Sequence, residues 1–132
     1  MAYKLRRTLP ENLKKEATMT IKIIIERQFK DTPKAEIISI LNDLRIRAMG
    51  QPGYISGETL VEVENNKNLV VLSNWTSIDD WQTWRDSAER SSLEAKLSPH
   101  LEGQAKVRGF MLGADSLREI LTEVIHNAEL AA

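Results

Sequence analysis

The sequence predicts an α+β fold of the ferredoxin-like type, with elements in the order β-α-β-β-α-β and one further helix at the C-terminus. Three observations carry this. Four segments carry strand signals, alternation with a period of two in 20–29, 54–64 and 104–110 and a continuous apolar start in 69–75. Two helical stripes separate them in the positions the split βαβ unit requires. At 132 residues the chain suits one domain, and 42% hydrophobic against 28% charged residues is the balance of an ordinary globular protein.

Taken in order, residues 1–19 form a basic N-terminal arm, with Lys4, Arg6, Arg7, Lys14 and Lys15 set against Glu11 and Glu16. The folded domain spans residues 20–112. Its first strand, 20–29, places Ile21, Ile23 and Ile25 on one face and Lys22, Ile24, Glu26 and Gln28 on the other. Asp31-Thr32-Pro33 supplies a capping side chain ahead of a proline and opens a helix. Ile37, Leu41, Leu44 and Ala48 form its apolar stripe, and Gly50 and Pro52 end it. Residues 54–64 alternate as a strand with one wetter face. Asn65-Asn66-Lys67-Asn68 reads as the hairpin turn, since asparagine tolerates turn conformations. The return strand, 69–75, begins with an apolar run, which predicts a central place in the sheet.

Ser77, with Asp80 three residues on, predicts the start of a second helix carrying Ile78, Trp81, Trp84 and Ala88 on one face. Residues 91–97 form a short helix that Pro99 ends, and 104–110 alternate as the fourth strand. Ser116-Leu-Arg-Glu119 is a capping box that opens a C-terminal helix within 113–132, with Leu117, Ile120, Leu121, Val124 and Ala128 on one face. Two helices cover one face of a four-stranded sheet. The other face keeps apolar residues and needs cover, from the C-terminal helix or from the same face of a second subunit; of these a two-fold homodimer is expected, with the last helix reaching across the partner or sealing an end.

Composition excludes several functions. The chain has no cysteine, so it has neither disulfides nor thiolate metal ligands nor a cysteine nucleophile, and this fits a reducing compartment. A net charge of -1 gives no field to gather nucleic acid. No apolar run approaches the roughly 20 residues that span a bilayer, and the N-terminal residues lack the apolar segment of a secretory signal. A cytoplasmic protein without nucleic-acid or membrane partners is expected. His100 and His126 stand apart with no ligand at metal-site spacing, so no metal is expected; His100 is a candidate general base. There is no Gly-rich phosphate loop, nucleophile elbow or H-E-x-x-H motif.

All three tryptophans fall in Val70-Val-Leu-Ser-Asn-Trp75-Thr-Ser-Ile-Asp-Asp-Trp81-Gln-Thr-Trp84, which runs from a strand into a helix. They admit two readings: core packing, or the wall of an apolar pocket that opens at the strand end. Gln51-Pro-Gly-Tyr-Ile-Ser56, Leu72-Ser-Asn-Trp75-Thr-Ser-Ile-Asp-Asp-Trp81 and the ending from Leu101 to Phe110, in this order of elements, resemble the antibiotic biosynthesis monooxygenase family. The resemblance covers about residues 20–112 and implies a dimeric α+β barrel.

One branch of that family oxidises polycyclic aromatic compounds with molecular oxygen and no cofactor. By resemblance Trp75 matches a pocket tryptophan and Trp81 takes the place of a pocket tyrosine, while Val71 stands where that branch has an asparagine. A second branch cleaves haem. Its tryptophan matches Trp84, but its strand-one asparagine falls at Glu26 and its iron-ligating histidine at Glu94, so haem degradation is not expected. The resulting expectation is a cofactor-free monooxygenase of a small aromatic or quinol-like compound, with Trp75, Trp81 and Trp84 as substrate-binding walls and Glu26 and Asn74 as catalytic polar groups. Glu26 shares a face with Ile24, a setting in which a carboxylate can act as a base. Asn74 can hold a carbonyl or an enolate. The alternative is a non-catalytic dimeric module that binds a small ligand or supports another protein.

Overall fold

The structure, a computed structural model, describes residues 20–111 and 121–126. The elements are β1 (Ile21–Gln28), α1 (Ala35–Met49), β2 (Tyr54–Glu62), β3 (Asn65–Trp75), α2 (Ile78–Arg85), α3 (Ala88–Leu97), a single 3-10 turn (Ser98–His100) and β4 (Lys106–Met111). Residues 121–126 are helical. The strands form one antiparallel sheet in the order β2-β3-β1-β4, the ferredoxin-like arrangement.

The sheet has one face under α1, α2 and α3. Strand β1 alternates strictly between buried and half-buried residues because its isoleucines at 21, 23 and 25 all point to the covered side. Register then fixes its neighbours. Ile21, Ile23, Ile25 and Arg27 lie opposite Trp75, Ser73, Val71 and Leu69 of β3, and Ile21, Ile23 and Ile25 opposite Met111, Gly109 and Val107 of β4. Ile37 and Leu44 of α1, Trp81 and Trp84 of α2, and Leu93 and Leu97 of α3 close the core from above. The second face carries an apolar residue from every strand: Ile24, Leu60, Val70, Leu72 and Phe110.

Several expected boundaries move. The hairpin turns at residues 63–64, where Glu62 pairs with Asn65, and the asparagine run belongs to β3. Asn65 still bonds locally, its Oδ1 accepting from the Lys67 amide at 3.2 Å, but it does so within the strand pair. The first residue flanking α1 is Lys34, which makes no side-chain cap, and Asp31-Thr32-Pro33 precedes the helix; Thr32 Oγ1 instead donates to Asn66 Oδ1 at 3.2 Å. The break between the second and third helices moves toward the N-terminus. Ser87 Oγ donates to the Trp84 carbonyl at 2.8 Å and accepts from the Arg90 amide at 3.1 Å, so one side chain ends α2 and starts α3 at Ala88 rather than at Ser91. The fourth strand begins at Lys106 and reaches Met111.

Residues 1–19, expected as a basic arm, and the capping box at 116–119 lie outside the described residues. Among the described residues no helix is long and apolar enough to cross a membrane.

Candidate functional site

A cavity of about 70 Å³ lies between the covered face of the sheet and the three helices. One water needs only ~10–15 Å³ on this measure, so the space exceeds a packing defect. Its apolar lining comes from Ile25 of β1, Leu41, Leu44 and Ala48 of α1, Tyr54 of β2, Val71 and Trp75 of β3, and Trp81 and Trp84 of α2. The two readings of the tryptophans therefore merge: all three are buried in the core, and all three face the hollow.

Local structure holds these rings in place. Trp75 is 0% exposed at the end of β3. Tyr54 meets it edge-on at 5.4 Å between centroids and 87° between planes, and Trp81 meets it at 5.8 Å and 62°. The Trp75 indole N–H donates to Ser73 Oγ at 2.9 Å, so its polar edge is bound within the strand.

The turn before β2 locks to the start of α2. Gly53 has φ +86°, and a Cβ there would lie 2.3 Å from Asp80 Oδ2. That same Asp80 oxygen accepts from Thr76 Oγ1 at 2.7 Å and Ser77 Oγ at 2.9 Å, while Ser77 Oγ caps the helix by accepting from the Asp80 amide at 3.2 Å. The Gly53 carbonyl accepts from the Thr76 amide at 2.8 Å. The Pro52-Gly53 pair and the Thr76-Ser77-Asp80 group thus position Trp75 and Trp81 relative to Tyr54.

The cavity also holds charge that sequence reasoning missed. Arg27, from the covered face of β1, is 4% exposed and is paired with Glu94 of α3. Arg90 Nη2 lies 3.4 Å from the same oxygen, Glu94 Oε1, and its guanidinium sits 5.3 Å from the Trp81 ring centroid. Arg27, Arg90 and Glu94 all line the cavity, with Arg45 and Glu58 as exposed residues at its edge. Burial lowers the Arg90 pKa below the ordinary arginine value, against the opposing attraction of Glu94. The signal for Arg27 was present in its parity, since it continues the Ile21-Ile23-Ile25 side of the strand.

Glu26 and Asn74 are elsewhere. Each sits one residue from a cavity residue, and alternation sends both to the opposite face of the sheet. There Glu26 Oε2 accepts from Asn68 Nδ2 at 3.0 Å, and Glu62 Oε1 accepts from the same amide nitrogen at 2.9 Å. Asn74 Nδ2 donates to Ser56 Oγ at 3.0 Å. The structure brings the three expected tryptophans together and does not bring Glu26 or Asn74 to them. Val71, at the position where the resemblance places an asparagine, does line the cavity. Glu94, at the position of a haem-ligating histidine, is held by two arginines. His100 belongs to the 3-10 turn and is not among the residues lining the cavity. Among the described residues no three His, Asp or Glu side chains are grouped to hold a metal ion.

The family model for antibiotic biosynthesis monooxygenases matches residues 20–96, more than half of the chain. The chain belongs to this family. Protein SchA of Streptomyces halstedii is 23% identical over 88 residues, which make up 67% of this chain and 23% of that protein. The chain thus spans about a quarter of the length of this curated relative. Among solved structures, a conserved protein from Methanosarcina mazei Go1 superposes with a TM-score of 0.67 at 17% identity, covering 76% of this chain and 99% of its own. SnoaB from Streptomyces nogalater, a cofactor-independent oxygenase, superposes with a TM-score of 0.64 at 16% identity, covering 75% of this chain and 97% of its own. At such identities the superpositions establish the shared fold, and the family assignment rests on the sequence match.

Proposed function

We propose that this protein is a cofactor-independent monooxygenase that acts, as a homodimer in the cytoplasm, on a small aromatic or quinol-like compound. The observation that carries this reading is an apolar hollow walled by three tryptophans and bordered by the buried guanidinium of Arg27 and the half-buried one of Arg90. The chemistry needs a substrate that ionises to an electron-rich anion and gives an electron to molecular oxygen. For an anthrone-type methylene, the carbon loses two hydrogens and gains one oxygen atom, and the second oxygen leaves as water; no external reductant enters. The protein's part is to flatten the substrate between rings, exclude water, and stabilise the anion.

In this reading Trp75, Trp81 and Trp84 are the walls. Arg27 and Arg90 replace Glu26 and Asn74 as the polar groups that meet the substrate, because they share its face of the sheet. Glu26 and Asn74 belong to the face that a second subunit covers, where Ile24, Leu60, Val70, Leu72 and Phe110 supply the apolar contact. The test is oxygen consumption by metal-free protein with a panel of anthrones and dihydroxyarenes. Uptake above buffer, with a product one oxygen atom richer, supports the reading. Rates equal to buffer across the panel reject it in favour of a module that binds without turnover.

A further inference from the structure

We propose that the cavity selects aromatic ligands that carry a carboxylate, and that Arg27 and Arg90 are the residues that set this specificity. The inference deepens the proposed function and rests on that reading only in taking the cavity as the ligand site. The first support is a charge count. Two guanidinium groups, Arg27 at 4% and Arg90 at 13% exposure, converge on one carboxylate, Glu94 at 21% exposure, and both use the same oxygen. The enclosed group therefore holds one positive charge more than it neutralises. The other two charged residues that border the cavity, Arg45 and Glu58, are exposed, where solvent screens them. A buried charge without a counter-charge is unfavourable, and a ligand anion removes the penalty.

The second support is an unfilled donor. Arg27 Nε is buried and has no hydrogen-bond partner among the described residues, although Arg27 lines the cavity. An N–H in that state asks for an acceptor, and a carboxylate gives the strongest one that fits a planar guanidinium. The third support is the remainder of the wall. Leu41, Leu44, Ala48 and Val71 are apolar, and the Trp75 N–H is already taken by Ser73; the other polar side chains of this remainder, Tyr54, Thr59 and Ser73 among them, are uncharged. A ligand matched to this lining is a flat apolar body with its charge at one end.

The experiment uses fluorescence, because every tryptophan of the chain lines the cavity and the signal comes from this site. The full chain is titrated under nitrogen with 2-naphthoate, 2-naphthamide and naphthalene-2-methanol. We expect naphthoate to bind at least about tenfold more tightly than either neutral compound, the scale of one charge-assisted contact. Arg27→Met lowers that preference to about threefold or less, and Glu94→Gln, which adds a net positive charge, raises it. Equal affinity for acid and amide in the native protein overturns the proposal, as does the absence of binding by all three. Should Arg27→Met fail to fold, the ligand series on native protein and on Glu94→Gln still decides. Oxygen uptake is measured separately: selective naphthoate binding without turnover by any aromatic substrate keeps this inference and rejects the oxygenase.

Discussion

The two faces of the sheet use the same strands for opposite purposes. On the covered face, β1 and β3 present isoleucines, Ser73 and Trp75 to three helices, and the buried charge they add, Arg27, is paired with Glu94. On the second face, the neighbouring positions present Lys22, Glu26, Gln28, Asn68 and Asn74, interleaved with Ile24, Val70 and Leu72. Asn68, 8% exposed, ties Glu26 to Glu62 there. One face borders a hollow of about 70 Å³, and the other is a mixed polar and apolar surface, which the proposed function gives to a second subunit. Sequence neighbours such as Glu26 and Arg27, or Asn74 and Trp75, are therefore about a sheet's thickness apart in function. Adjacency to a pocket residue along a strand counts against membership of the pocket.

The largest effect should follow Trp75→Ala. It removes a fully buried indole and the edge contacts of Tyr54 and Trp81. A loss of about 3–5 kcal/mol is expected from denaturant unfolding, together with loss of ligand binding. A loss under about 1 kcal/mol would mean that this ring does not hold the covered face together.

Next comes Gly53→Ala. The residue has φ +86°, and its new Cβ would press into the Asp80 side chain that the Thr76 and Ser77 hydroxyls hold. We expect a cost of roughly 1–3 kcal/mol and a weakened start to α2. Amide exchange should rise first at the N-terminal turn of α2, with the second face unaffected. Uniform exchange across both faces would break the proposed link between this turn and the tryptophan wall. Ser73→Ala should follow at about 1–2 kcal/mol, since the buried Trp75 N–H loses its acceptor at 2.9 Å. Restoration of the native midpoint by Ser73→Thr would identify the hydroxyl, rather than side-chain volume, as the cause.

Much of this division could be read in the sequence. The parity of Ile21, Ile23 and Ile25 specified which side of β1 meets the helices, and the Ser77-Asp80 pair marked the start of α2, because both signals are local and periodic. The turn was harder. Four polar residues at 65–68 looked like a reversal, yet the chain reverses at 63–64 and extends the asparagines into β3, where Asn68 meets Glu26 and Glu62. Propensity yields there to contacts made by residues distant in sequence. The same limit hid the charged group in the cavity. Arg27 and Glu94 are 67 positions apart, and nothing in their flanking residues says that they meet. Ser87 was missed for a different reason: the Trp81-Trp84-Ala88 stripe continues in phase across the break, so periodicity alone carries the first helix through Ala88 and starts the next at Ser91, where a capping hydroxyl at Ser87 sets the division.

The smallest expected effects test the comparison most sharply. Glu26→Gln and Asn74→Ala both lie on the second face. Glu26→Gln keeps an acceptor for Asn68, and Asn74→Ala removes a buried carbonyl oxygen that has no partner while giving up one bond to Ser56. In each variant the affinity of the cavity for naphthoate should stay within about twofold of native, a difference below the worth of one hydrogen bond. Any change in behaviour should instead appear in the concentration dependence of self-association, because that face is where a second copy would pack. A tenfold loss of ligand affinity or of oxygen uptake in Glu26→Gln, with self-association unchanged, would place that carboxylate in the chemistry. It could act there only across the sheet or from the partner's side, and the assignment of one face to ligand and the other to assembly would then fail.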